Sequence, residues 1–261
     1  MKTRLLVITT ALIALNGCAS NNLDEVSTQR SGSAVERISP VRAAEINTRL
    51  GVGYLEQGQL QIAIEKLEDA VRQDPQHAPA FLALGIAYER INQVDRALQH
   101  LERAVRLAPD DGSAHNSYAT LLCRNEQFEL ADDHFRRALQ DPFYPTPQVV
   151  LANAGSCARR NEAYGNAERY LREALTIEPN NEISLFNLAG LFYDQQEYLR
   201  ARAFLQRLEA LSPLDPDSLL LGYNIEQSLG SARDAQRYAS ALETNFPNTP
   251  QASEMRRQNN E

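Results

Sequence analysis

The sequence carries no GxSxG, no HExxH and no glycine-rich phosphate loop. The common signatures of serine hydrolases, zinc peptidases and nucleotide-binding proteins are therefore missing. Its four histidines, His77, His100, His115 and His134, are scattered. Asp132-Asp133-His134 could be imagined as a metal site, but adjacent residues on a helix diverge by about 100°, which fits a solvated face better. No basic run offsets the net charge of −8, so the chain is a poor ligand for nucleic acid. The apolar run from Leu5 to Leu15 spans eleven residues, too few to cross a bilayer as a helix. Cysteine is scarce, with three in 261 residues. These absences leave no reactive group, metal or cofactor to build on, and they point to a binding protein rather than an enzyme.

What is present is a period. From Ala78 to Asp111 the chain places Phe81, Leu84, Gly85 and Tyr88 in its first half, then Ala97, Leu101, Ala104 and Pro109. Numbered 1 to 34 from Ala78, these fall at positions 4, 7, 8, 11, 20, 24, 27 and 32. Positions 4, 7, 8 and 11 share one helical face, and so do 20, 24 and 27. Small residues at 8 and 20 let two helices approach, and proline at 32 ends the second. The pattern resembles the tetratricopeptide repeat, a helix–turn–helix unit that must stack to bury its apolar face.

The same spacing recurs over residues 44–77, 78–111, 112–145, 148–181, 182–215 and 216–249, with alanine at position 20 in all six copies. Five of the six copies have proline at position 32; in the third, Pro142 comes one place early. The resemblance implies an all-α fold, a right-handed superhelical solenoid of six helix pairs. The core includes Leu50 at position 7 of the first copy, and a weakened last copy replaces the small residue at position 8 with Tyr223. The segment 250–261 reads as a polar tail that frays.

Lys2 and Arg4 precede the Leu5–Leu15 run, and Asn16, Gly17 and Cys18 follow. A basic start, a short apolar core and a small residue before the cut make residues 1–17 a secretory signal. Leu15-Asn16-Gly17-Cys18 looks like a bacterial lipobox, and that likeness implies acylation of Cys18. The alternative is an ordinary signal peptide with an incidental cysteine. In Gram-negative lipoproteins an aspartate next to the acylated cysteine retains the protein in the inner membrane. Here Ala19 follows Cys18, which implies an outer-membrane anchor facing the periplasm. Residues 18–43 are rich in Ser, Asn, Thr and Gln and read as a flexible tether.

One junction departs from the period. Asp141-Pro142-Phe143-Tyr144-Pro145-Thr146-Pro147 makes the link between the third and fourth copies two residues longer. Its three prolines oppose helix. It is either a plain loop insertion or a family feature. The stretch from Asn116 through Leu122-Cys123-Arg124, this elbow, and Ala152-Asn153-Ala154-Gly155-Ser156-Cys157-Ala158 together resemble the PilF/PilW family. Its members are outer-membrane lipoproteins of type IV pilus biogenesis. The resemblance implies a pilotin: a periplasmic adaptor that binds the pilus secretin and promotes its outer-membrane localisation and multimerisation, or else stabilises the pilus. The secretin is the implied partner, and other pilus proteins are possible ones. A scaffold for cell-wall enzymes or outer-membrane protein assembly is the alternative.

Cys123 and Cys157 lie at position 12 of the third copy and position 10 of the fourth. They sit on opposite flanks of neighbouring first helices, which allows a bond in an oxidising compartment. Two unpaired buried thiols are the alternative. The family resemblance implies the disulfide.

First helices of such a stack line its hollow side. The face away from the core carries Val52, Leu55, Leu82 and Ile86 in the first two copies. It carries Asn116, Thr120, Arg124, Asn153 and Ser156 in the next two, and Phe186 and Tyr193 in the fifth. This is the candidate groove for a partner peptide. For the apolar members, contact between adjacent first helices is the alternative.

Overall fold

The computed structural model describes residues 39–258. The signal segment, the acylation site at Cys18 and most of the tether lie outside the described residues. The six repeats are six helix pairs. They are α1 (Pro40–Glu56) with α2 (Leu60–Gln73), α3 (Ala78–Arg90) with α4 (Val94–Leu107), and α5 (Gly112–Arg124) with α6 (Phe128–Ala138). The others are α7 (Pro147–Arg160) with α8 (Tyr164–Ile177), α9 (Glu182–Asp194) with α10 (Tyr198–Glu209), and α11 (Pro216–Ser228) with α12 (Ala232–Asn245). A thirteenth helix, α13 (Pro250–Gln258), follows. No strand occurs among the described residues.

Within the stack each odd helix packs against its own partner, the even helix before it and the next odd helix. The backbones of successive even helices stay apart and meet only through side-chain bonds such as Tyr170 to Asp132 and Arg200 to Glu168. The odd helices are thus the inner row of a solenoid and the even helices the outer row. The close approach within a pair rests on position 8. A Cβ on Gly51, Gly85 or Gly155 would come within 2.4–2.5 Å of the Cγ of Leu67, Leu101 or Leu171 at position 24. In repeat 6 the sizes exchange places: Tyr223 stands at 8, Ala239 at 24, and Gly222 lies under the ring of Tyr238.

Two boundaries and one core position differ from the sequence reading. Helix α1 begins at Pro40, within the segment expected as tether. Ser39 accepts a hydrogen bond from the Arg42 amide (3.2 Å) and proline favours the first turn. Leu50, expected in the core, is 45% exposed, because the described residues place no repeat in front of α1. The expected frayed tail is instead α13. It packs on α11 and α12 and buries Ala252 and Met255 completely. It occupies the place of a seventh first helix and caps the stack.

A second regularity lies in the turns. Gly58, Asn92, Glu126, Glu162, Gln196 and Gly230 all have positive φ, between 54° and 72°. Each is position 15 of its repeat. Each amide there bonds the carbonyl of position 12, and the next amide bonds that of position 11 at 2.8–3.0 Å. This is a Schellman closure, which requires a left-handed residue. Three of the six are Glu or Gln, for which that conformation costs about 1 kcal/mol. Glu162→Gly is therefore expected to stabilise the fold by somewhat under 1 kcal/mol, since glycine also loses more chain entropy. Urea denaturation checks it; an unchanged or lower midpoint contradicts it.

His115 and His134 meet in the core between α5 and α6, 2% and 8% exposed. Their Nδ1 atoms are 2.7 Å apart, and His115 Nε2 is 2.8 Å from the Pro109 carbonyl oxygen. Two neutral rings satisfy both contacts: His115 donates to Pro109 through Nε2 and accepts at Nδ1 from His134. Burial, then the neighbouring His115 and Arg137, push His134 down to about 4. The unfolded state binds the proton more tightly, so stability is full above the unfolded value of about 6.5 and is lost as pH falls toward 4. The expected loss is roughly 2 kcal/mol at pH 5 relative to pH 7. It is measured as the difference between the wild type and His134→Gln, which cancels the carboxylates. Parallel pH profiles would contradict it.

Candidate partner-binding groove

The inner row is continuous. Helices α1, α3, α5, α7, α9 and α11 contact one another in sequence, so residues at equivalent positions form rows across the repeats. Val52 is exposed, and Leu82 and Ile86 are partly exposed beside it. Leu55 is not part of this surface. It is 5% exposed and belongs to the core cluster of repeats 1 to 4. Position 12 is the flank of a first helix that faces the next repeat, so Leu55 is covered by α3. The same geometry places Cys123, also at position 12, against Cys157. Their sulfurs are 2.14 Å apart and their Cα atoms 5.8 Å apart.

The middle of the row is polar and tied together. Asn153 Nδ2 donates to Asn116 Oδ1 at 3.2 Å, and Asn116 Nδ2 approaches the Tyr144 hydroxyl at 3.5 Å. Thr120 returns its hydroxyl hydrogen to the Asn116 carbonyl at 2.9 Å, and Ser156 is partly exposed beside this pair of helices. Tyr144 comes from the elbow. The elbow is held by Asp141, whose carboxylate accepts from the amides of Gly112 (3.0 Å) and Phe143 (2.9 Å). Those bonds hold its pKa below the ordinary carboxylate value. Gly112 is required here, since a Cβ would lie 2.9 Å from the Ala138 carbonyl oxygen and from the Tyr144 ring. Pro147 is the first residue of α7 rather than part of the extended link. Phe143 is 91% exposed.

Sequence reading missed how the ends of the inner helices are laced. In repeats 2 to 5, position 13 reaches position 12 of the repeat before. Arg90 donates to the Leu55 carbonyl (2.7 Å), Arg124 pairs with Glu89, Arg160 donates to the Cys123 carbonyl (3.2 Å), and Asp194 pairs with Arg159 (2.7 Å). Arg124, placed in the groove from sequence, is thus engaged by its neighbour. The available signal was the recurrence of Arg at position 13 and of acid–base complements one repeat apart. Farther along, Phe186 and Tyr193 are partly buried against the core of repeats 5 and 6. Phe186 lines a cleft of about 240 Å³ and Tyr193 a separate one of about 260 Å³. The two aromatics do not share one pocket.

Among the described residues no group of three or more His, Cys, Asp or Glu side chains could hold a metal ion. Asp132 accepts from the Tyr170 hydroxyl (2.8 Å) and pairs with Arg136 (3.1 Å), while His134 turns inward to His115.

Two family models described as tetratricopeptide repeat match the chain, one over residues 48–112 and 82–146 and the other over 158–221. Together they span more than half of it. The solved structure of PilW, described as a widely conserved type IV pilus biogenesis factor, superposes with a TM-score of 0.76 at 29% identity. The match covers 80% of this chain and 96% of that one. The solved structure of Pseudomonas aeruginosa PilF gives a TM-score of 0.72 at 24% identity, covering 84% and 99%. The type IV pilus assembly protein PilF of Pseudomonas aeruginosa is 24% identical over 248 residues, 95% of each chain. The chain belongs to the tetratricopeptide-repeat proteins and is a PilF/PilW-like member of them.

Proposed function

We propose that this protein is a lipid-anchored periplasmic adaptor of type IV pilus biogenesis, which binds a segment of the secretin along its inner row and promotes ring assembly. The likeness to PilW along nearly all of that chain carries this reading. The row supports it with an apolar end at Val52, Leu82 and Ile86 and an asparagine-rich middle. Such a surface suits a peptide that presents apolar side chains at one end and backbone amides to Asn116 and Asn153. Acylation of Cys18 and attachment to the outer membrane belong to the same proposal, as does a lasting Cys123–Cys157 crosslink in the oxidising periplasm.

The test is a chromosomal Val52→Asp/Ile86→Asp variant, scored for secretin multimers and surface pili beside a deletion strain. Both side chains are at least partly exposed, so the variant is expected to fold and to lose multimers. Normal secretin rings in the deletion strain would sink the role. Recovery of cell-wall hydrolases without secretin in a pull-down would replace it with the scaffold reading.

A further inference from the structure

Helix α7 departs from α3, α5 and α9 on the face it turns to the preceding repeat. Positions 7 and 11 are Leu84 and Tyr88 in α3, Tyr118 and Leu122 in α5, and Leu188 and Phe192 in α9. In α7 they are Ala154 and Ala158. The two truncations lie one turn apart on one face. They leave a cleft of about 310 Å³ between α6 and the α7–α8 pair, within the range of sites that hold small ligands. Phe128, Phe135, Ala154 and Ala158 supply its apolar wall, and the exposed Glu129 and Arg136 border it. None of Asn116, Thr120, Arg124, Asn153 or Ser156 lines it.

We propose that this cleft anchors one aromatic side chain, phenylalanine or tyrosine, presented by a partner polypeptide. The chain itself displays the fit twice. In repeat 2 Tyr88 fills the equivalent place and is 2% exposed. Its ring stacks on His100 at 5.2 Å, the Arg96 guanidinium lies 4.7 Å from its centroid, and its hydroxyl donates to Glu68 of the preceding repeat at 2.7 Å. In repeat 5 Phe192 is fully buried, stacked on Phe204 at 5.5 Å with the Arg200 guanidinium 3.6 Å away. In both, an aromatic ring fills the gap between repeats and a cation covers it. Repeat 4 keeps the gap and loses the ring. Tyr170 reaches Asp132 at 2.8 Å with Arg169 over its ring, but it closes the neighbouring part of the gap and does not line the cleft. Asn166 stands in repeat 4 where Arg96 and Arg200 stand in the other two. The cation for an incoming ring would come instead from Arg136 of the preceding repeat, which lines the cleft while paired with Asp132 and Asp133. The two signs at the border suit a peptide backbone. An aliphatic side chain would gain burial without the cation contact.

This site is independent of the pilus assignment, and its test uses defined probes. p-Cresol titrated into the purified protein and followed by amide NMR shifts is expected to perturb Phe128 and Ala158, with a Kd on the order of 1 mM for a fragment of that size. N-acetyl-Gly-Tyr-Gly-amide is expected to bind more tightly, and 3-methylbutanol, a leucine mimic, several-fold more weakly. Ala158→Phe rebuilds the arrangement of Phe192 from within and is expected to weaken p-cresol binding by about tenfold or more with an equal or higher Tm. Ala154→Leu, which copies Leu84 and Leu188, is the second blocking variant should the first fail to fold. No saturable shift, or binding that persists in the folded blocking variant, would overturn the site. Equal binding of 3-methylbutanol would overturn its aromatic preference, and a tyrosine peptide weaker than p-cresol would overturn the polypeptide partner.

Discussion

Replacing both Cys123 and Cys157 by alanine is expected to lower the unfolding free energy by roughly 3–4 kcal/mol, the entropy of a loop this long. The two residues are 34 apart in sequence and join α5 to α7. The chain between the two helices holds α6 and then the irregular elbow, so the crosslink spans the one junction that breaks the period. Both cysteines are 5% exposed, and alanine avoids leaving a buried hydroxyl. In a stack held by nearest-neighbour contacts, weakening one interface loosens the coupling of the halves on either side. Urea denaturation of the double variant is therefore expected to show a lower midpoint and a broadened or split transition. Reduction of the wild type should reproduce the result. A shift below about 1 kcal/mol would mean that the crosslink is absent from the purified protein or contributes nothing.

The second large effect is expected at Arg202. Glu226 stands at position 11 of repeat 6, where the other repeats have apolar side chains, and it is 3% exposed. Its carboxylate is gripped by Arg202 from the preceding repeat, with Nε donating at 2.8 Å and one terminal nitrogen reaching the second oxygen. The same nitrogen also donates to the Ser231 hydroxyl at 2.9 Å. Removing the cation leaves a buried carboxylate without a partner, a loss typically of about 3–5 kcal/mol. Arg202→Ala is expected to fall at the lower end, because the arginine side chain is itself about a quarter exposed and water can enter the space. The pair Arg202→Met/Glu226→Leu should recover much of the loss, as apolar replacements of buried ion pairs do. Failure of the pair to recover stability would show that the loss at Arg202→Ala came from packing rather than charge.

The parts of this fold that were legible were those under tight steric demand. Glycine or alanine at position 8, alanine at 20 and proline at 32 recur because two helices touch there and a third must begin. The left-handed turn at position 15 recurs just as strictly, but Gly, Asn, Glu and Gln all fill it. The requirement is on the backbone, and several side chains tolerate it at a cost. Helix α13 was missed because a nine-residue amphipathic helix buries only Ala252 and Met255. Two apolar residues in a polar run carry little periodic signal. Leu55 was misplaced because a helical wheel gives direction within one helix, and whether a flank is covered depends on the neighbouring repeat. The same wheel served for Cys123 and Cys157, where the question was which flanks oppose. The lacing between positions 12 and 13 lies across repeats, out of reach of any single-helix pattern.

The two ends of the array are unlike. Past α12 the terminal helix α13 seals the stack, whereas α1 presents Val41 and Leu50, 54% and 45% exposed, with no described helix ahead of it. A repeat with one neighbour has half the interface energy of an interior one. Melting should accordingly run as a zipper from the first hairpin inward. Amide hydrogens of α1 and α2 would exchange soonest, and those around α9, walled on both sides, would exchange last.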